Sequence, residues 1–258
     1  MASREHSPTK PPTNPVVVIP ARLASTRLPD KPLADLHGEP MIVHVWRRAV
    51  EADIGPVIVA CADEPIAAAV AAVGGQAVMT RPDHPSGSDR VYEAVTAADA
   101  GGRHDVVVNL QGDLPTIDPA TVRAALAPLA DPSVDIATLA APITDPGEHD
   151  DPAVVKAVIA LGADGRTGPA LYFSRTPVPW GEGPRYHHIG IYAYRRAALE
   201  RFVALPPGIL EQRERLEQLR ALENGLRIGA ALVDTVPTGV DTPADLECAR
   251  AVLAAGRG

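Results

Sequence analysis

Aromatic residues make up only 3% of this 258-residue chain, cysteine occurs twice and lysine three times. Cys61 and Cys248 stand far apart, with no CxxC spacing and no histidine partner. That argues against a disulfide framework and a thiolate zinc site, and predicts buried, inert thiols in a reducing cytoplasm. No apolar run approaches a membrane span and the N-terminus shows no apolar leader core, so no membrane association is expected. Basic residues are outnumbered, 24 against 32 acidic, for a net charge of −8. Such a balance argues against a general nucleic-acid or membrane-surface binder. An anionic substrate has to be met by a local cationic patch. What is present is ordinary for a soluble globular protein, 46% hydrophobic and 22% charged, with length for one large domain or two modest ones. Against so few lysines, Lys31 and Lys156 stand out.

The cationic patch lies at 16–31, VVVIPARLASTRLPDK. Val16–Ile19 reads as a buried strand, after which Ala21 leads into Arg22, Ser25, Thr26, Arg27 and Lys31. A buried parallel strand emptying into a basic, hydroxyl-bearing loop is the layout of a phosphate site. Backbone N–H groups, guanidinium forks and a lysine point charge together neutralise phosphate oxygens. The alternative is a solvated basic loop.

Taken in order, residues 1–15 are polar and proline-rich and predict a disordered tail, with one domain over 16–258. Helical spacing covers Met41–Ala52, an alanine-rich helix Ile66–Val73, and another helix from about Arg90 to Ala98. Short apolar strands are expected at Val57–Ala60, Gln76–Met79 and Val106–Leu110, and Asp118-Pro119 starts a further helix. Strands alternating with helices predict an α/β fold with a mostly parallel sheet, whose ligands bind beyond the carboxyl ends of the strands. From Ile136 on, strands at Ile136–Pro142, Ala153–Ala160, Leu171–Ser174 and Ile189–Tyr194 lack long intervening helices, which predicts antiparallel additions and a small lobe. One charged helix is expected over Ile209–Asn224, then a strand at Arg227–Val233 and a helix at Pro243–Ala255.

Several residues bear chemistry. Asp113, in a Gly-Asp turn after a buried strand, is either a hard-metal ligand or a turn cap. Asp241, before Thr-Pro, allows the same two readings. Gln111 can bond a base or ribose, or satisfy backbone. Arg81 faces a base edge or pairs with Asp83. Glu211, Glu214 and Glu217 at spacing three read as a solvated helix face. His187 and His188, adjacent on a strand, point to opposite faces and do not share a metal.

Eight collinear segments resemble one family: IPARLASTRLPDKPL, MIVHVWRRA, DHPSGSDR, VVVNLQGDLP, ALYFSRTPVPW, HIGIYAYR, LEQLR and GVDTPADLE. The chain is similar to the CMP-KDO synthetases, or 3-deoxy-manno-octulosonate cytidylyltransferases. The resemblance implies a Rossmann-like nucleotidyltransferase fold, a homodimer, Mg2+, and CMP transfer from CTP to an acidic sugar with release of pyrophosphate. It implies that Arg22, Ser25, Arg27 and Lys31 grip the CTP phosphates, that Ala21 also binds the nucleotide, and that Arg81, Ser86, Ser88 and Gln111 line the cytidine pocket. Asp113 and Asp241 would hold magnesium, with Arg22, Lys31 and Asp113 the catalytic groups. Arg175, His188, Tyr192, Glu217 and Gln218 would meet the acceptor, giving the glutamate run a second meaning. Asp30 stands where the family carries glycine, and Arg213 and Arg215 where it carries apolar residues. Those two arginines open an alternative acceptor, a small phosphonate such as phosphonoformate. A CTP-binding relative without activity is the other-class alternative.

Overall fold

The structure is a computed structural model that describes residues 14–23 and 27–255. Ser25 and most of the expected N-terminal tail lie outside the described residues. The chain divides into two compact units, Asn14–Arg123 with the stretch from Pro237 on, and Ala124–Val236.

The first unit is built on β1 (Pro15–Ala21), whose Val16–Ile19 stretch is fully buried. A short antiparallel ribbon follows, β2 (Asp35–Leu36) and β3 (Glu39–Pro40), then α1 (Met41–Glu51) and β4 (Val57–Cys61). After α2 (Glu64–Ala72) come β5 (Gln76–Met79), α3 (Gly87–Ala98), β6 (Val106–Asn109) and α4 (Pro119–Ala124). The sheet order is β5-β4-β1-β6, every pair parallel, with Val18 opposite Ile58 and Asn109. A strand between two neighbours that is also covered on both faces has no polar side to present, which is why β1 and β4 are runs of Val, Ile and Ala.

Helix α3 starts at Gly87, three residues before the expected Arg90. Ser86 is its cap: the hydroxyl oxygen accepts from the Asp89 amide at 3.2 Å and donates to the Asp89 carboxylate at 2.7 Å. The C-terminal helix (Pro243–Ala255) returns to this unit, and on it Cys248 is exposed rather than buried as expected, while Cys61 in β4 is buried. Val240, Leu246 and Ala249 share a buried cluster with Leu36 and Met41. That apolar contact fixes the strand-less stretch carrying Asp241.

The second unit holds β7 (Ile136–Pro142), β8 (Lys156–Ile159), β9 (Thr167–Ser174) and β10 (Tyr186–Arg195), followed by α5 (Arg196–Val203). Its order is β10-β7-β11-β9-β8, where β11 is Ile228–Leu232; only β7 and β11 run parallel. The first residues of β10 also pair with β8, so Tyr186 and His187 lie between two strands. The expected antiparallel lobe is therefore present.

The single helix expected over 209–224 is instead two, α6 (Ile209–Glu214) and α7 (Gln218–Glu223). Arg215 takes a left-handed conformation, φ +55°, and ends α6. Arg175 explains the break: its Nε donates to the Glu214 carbonyl at 2.8 Å and one terminal nitrogen to the Arg215 carbonyl at 3.3 Å. Carbonyls bonded by a guanidinium need no continuing helix.

Candidate active site

The first unit gathers most of its charged candidates at the carboxyl ends of β1 and β6. Lys31 Nζ donates to Asp113 Oδ2 and to Asp241 Oδ1, 2.9 Å each. At most twice that distance separates the two carboxylate oxygens, although the residues stand 128 positions apart in the chain. The Val240 amide donates to the Asp113 carbonyl at 2.9 Å, so backbone pairing sets the approach. Arg27 adds an ion pair to Asp241 at 3.0 Å. Burial acts to lower the Lys31 pKa, but Asp113 and Asp241 outweigh it and hold it above the usual lysine value. The ammonium stays charged.

Two backbone features shape this corner. Asp30 occupies the left-handed region, φ +51°, where glycine is at ease and Asp is one of the few tolerated substitutes. Its carbonyl accepts from Leu33 at 2.8 Å, closing the turn that carries Lys31. At Gly112 a Cβ would meet the Pro20 carbonyl oxygen at 2.7 Å. Only glycine lets the turn of Asp113 press against the end of β1.

A cavity of about 290 Å³ opens beside these groups, lined by Pro20, Ala21, Arg22, His84, Pro85, Ser86, Gly87, Arg90, Gln111 and Asp113. The cavity thus brings Ala21, Arg22, Ser86, Gln111 and Asp113 together. Gln111, a lining residue, donates from Nε2 to the Asn109 side-chain oxygen at 3.2 Å. Arg81 is largely exposed, with Nε 3.7 Å from Glu93 and 3.9 Å from Asp83. Ser88 is buried in the first turn of α3 and does not line the cavity.

Sequence reasoning missed Asp63, His84 and Arg90. Asp63 accepts from the Leu23 amide at 3.0 Å and anchors the start of the cationic loop. Its signal was available, since Asp63 follows a buried strand much as Asp113 does. His84 and Arg90 lie inside the DHPSGSDR segment but have no motif of their own.

In the second unit, β10 carries a bulge: Ile189 pairs with Leu139 and Tyr192 with Thr138, the next position of β7. Thr138, fully buried, contacts the carbonyl oxygens of Ile189 at 3.2 Å and Ile191 at 2.9 Å, and His188 Nε2 at 3.0 Å. A hydroxyl has one proton, which goes to a carbonyl; it therefore accepts from His188 Nε2–H, fixing that tautomer. Burial, then His187, holds the His188 pKa down at about 3. Folded His188 is neutral where an unfolded imidazole, near 6.5, takes up a proton. Stability contributed here is therefore lost as pH falls from about 6.5 toward 3, because the unfolded chain binds the proton first. His188→Gln is expected to flatten that part of the Tm-versus-pH curve; curves that stay parallel to wild type would remove His188 as the cause.

The Tyr192 ring lies 5.7 Å from that of His188, and burial, with Tyr194 and Glu217 nearby, raises its pKa. The phenol keeps its proton. Gln218 is buried, and its amide Nε2 finds no partner among the described residues. An orphaned buried amide costs about 1–3 kcal/mol unless a ligand bonds it.

The glutamate run is not a solvated face. Glu211 forks onto Arg220 at 2.8 and 2.6 Å. Burial opposes its charge, yet Arg220 and the Gly208 amide keep its pKa below the usual value. Glu214 accepts from Ser174 Oγ at 2.9 Å and the Arg175 amide at 3.0 Å. Arg175 itself spends its guanidinium on the carbonyls of Pro152, Glu214 and Arg215. Arg213 and Arg215 are both exposed. Lys156 is fully buried and structural, donating to the Asp151 and Arg175 carbonyls at 2.7 and 3.1 Å. Among the described residues no three His, Cys, Asp or Glu side chains gather as a metal cage, and no helix is long and apolar enough to cross a membrane.

Comparison with known proteins follows the same lines. The cytidylyltransferase family model matches residues 16–228. A 3-deoxy-manno-octulosonate cytidylyltransferase of Rhodospirillum centenum is 69% identical over 245 residues, covering 95% of each chain. That of Paramagnetospirillum magneticum is 66% identical, covering 93% of this chain and 98% of its own. A solved structure of CMP:2-keto-3-deoxy-manno-octonic acid synthetase complexed with CTP superposes with a TM-score of 0.86 at 42% identity, covering 95% of this chain and all of that one.

Proposed function

Because the chain belongs to the 3-deoxy-manno-octulosonate cytidylyltransferases, we propose that it transfers CMP from CTP to the anomeric hydroxyl of a 3-deoxy-manno-octulosonate-type acid and releases pyrophosphate. The observation that carries this reading is the triad Lys31, Asp113 and Asp241 beside a cavity with Arg22 and Gln111. The acceptor oxygen bonds to the α-phosphorus as the bond from phosphorus to the pyrophosphate oxygen breaks. Such a displacement needs alignment and charge neutralisation more than a protein nucleophile.

Arg22, Ser25, Arg27 and Lys31 grip the phosphates, the cations offsetting charge on the departing pyrophosphate. Arg81, Ser86 and Gln111 hold the cytidine, whereas Ser88, buried and off the cavity, does not. Asp113 and Asp241 are hard oxygen donors, two in number, which fits Mg2+: that ion takes one or two carboxylates and completes its shell with substrate phosphates and water. When bound it would supply further charge stabilisation at the phosphate oxygens. On the acceptor side we assign His188, Tyr192, Glu217 and Gln218, and leave out Arg175, whose guanidinium is taken up by backbone carbonyls. Neutral His188 and Tyr192 offer hydrogen bonds without charge, and the Gln218 amide gains the partner it lacks. Arg213 and Arg215, being exposed, give no compact dianion pocket, which favours the sugar acid over a phosphonate. The enzyme works in the cytoplasm as a homodimer, for which Leu171 and Trp180 are exposed apolar groups of the second unit.

Pyrophosphate release on mixing the protein with CTP, Mg2+ and 3-deoxy-manno-octulosonate, with phosphonoformate in a parallel arm and the mass in solution read alongside, is the direct test. Release with the sugar acid alone is expected; silence with every acidic acceptor would leave a CTP-binding protein. In the same assay Gln218→Leu is expected to raise the acceptor KM about tenfold with the CTP KM unchanged.

A further inference from the structure

Helix α3 turns one face toward the loop that carries Arg81. Arg90 and Glu93, three residues apart, share that face. Arg90 is buried, 3% exposed, yet pairs with no carboxylate among the described residues. Its terminal nitrogens donate to Thr80 Oγ1 at 2.5 Å and to the Pro82 carbonyl at 3.5 Å, the residues on either side of Arg81. Thr80 is in turn tied to the end of β4, its amide donating to the Cys61 carbonyl at 2.8 Å and its hydroxyl at 3.2 Å. Glu93 accepts from the Arg81 amide at 3.3 and 3.4 Å and meets His84 Nε2 at close range.

A buried guanidinium hydrogen-bonded only to neutral oxygens is expensive; burial and the neighbouring Arg22 weaken its hold on its proton, and the charges of Asp63 and Glu93 offset them only in part. Simple stability would be served as well by an apolar residue there. The bonds are instead spent on one five-residue loop, while the Arg81 side chain, its second residue, stays 65% exposed and lightly held. The backbone is pinned and the guanidinium left available.

We propose that Arg90 and Glu93 are positioning residues that set the loop Thr80–His84, and through Arg81 decide how tightly and how selectively the nucleobase is held. The inference rests on the cytidylyl-transfer reading above. Pinning the loop before the nucleotide arrives removes an ordering cost from binding, so the effect falls on CTP affinity rather than on the chemical step.

The test is a double-mutant cycle in the pyrophosphate-release assay, with CTP and UTP as donors. Glu93→Ala is expected to raise the CTP KM about tenfold and to narrow the CTP-over-UTP preference, with kcat and the acceptor KM within about twofold. Glu93→Gln, which still offers an oxygen to the Arg81 amide, should recover most of the loss. In an Arg81→Ala background Glu93→Ala should add little, because its effect passes through Arg81. Additive losses, or equal shifts in kcat and both KM values, would overturn the proposal. Should Glu93→Ala fail to fold, the same cycle run with Arg90→Lys reads the other arm of the clamp. A wild type that turns over CTP while every variant matches it sinks this inference alone; a wild type that neither binds nor uses CTP sinks the functional reading with it.

Discussion

Asp113→Asn is expected to cut pyrophosphate release by about 10²–10³-fold while changing CTP binding in EDTA by no more than about twofold. The substitution keeps size and shape and removes one negative charge. The turn should survive, since Gly112 sets its approach to β1 and the Val240 amide bonds the main-chain carbonyl of Asp113 rather than its side chain. What disappears is half of the carboxylate pair around Lys31. With only Asp241 left, the proposed divalent-cation site loses a ligand and the lysine is no longer balanced between two acids. The loss belongs to turnover in the presence of metal, so binding in a chelator separates a role in charge placement from general damage. Unimpaired turnover would take Asp113 out of the metal and phosphate chemistry altogether.

Arg220→Ala is expected to lower stability by about 3–5 kcal/mol, a fall in Tm of roughly 6–15 °C. Both partners of the Arg220–Glu211 fork are nearly buried, with side chains 10% and 13% exposed. Removing the guanidinium strands the Glu211 carboxylate in a low-dielectric setting, and also forfeits the contact of Arg220 with the Phe202 ring at 5.2 Å. Replacing both members by apolar residues of similar volume should cost far less, because no buried charge is then left alone. A thermal melt of Arg220→Ala that matches wild type would mean the fork is solvated in practice, like the charged helix face that spacing alone predicts.

Some of this molecule was legible in the chain. Val16–Ile19 admits few readings other than a buried strand, and the change to Arg22, Arg27 and Lys31 marks where that strand must end. Gly112-Asp113 and Asp241-Thr242-Pro243 advertise turns through local chemistry. The break at Arg215 was not legible. The run 209–224 has good helix formers and an apolar stripe, and nothing in it announces that Arg175, far upstream, will cap its carbonyls. The bulge in β10 was equally silent, since Gly190 hints at irregularity but Thr138, on another strand, supplies the hydroxyl that satisfies it. Arg90 and Glu93 read as ordinary helix charges until their partners across the loop are known.

Local patterning by itself determined most of the strands and helices, where the cationic loop lies, and which acids stand in turns, because backbone preference and hydrophobic periodicity act within a few residues. Tertiary structure alone decided that Asp113 and Asp241 share one ammonium, that Glu211 and Glu214 turn inward, and that His188 stays neutral. Those outcomes depend on distance and dielectric between residues far apart in the chain, quantities that exist only once the intervening backbone has packed.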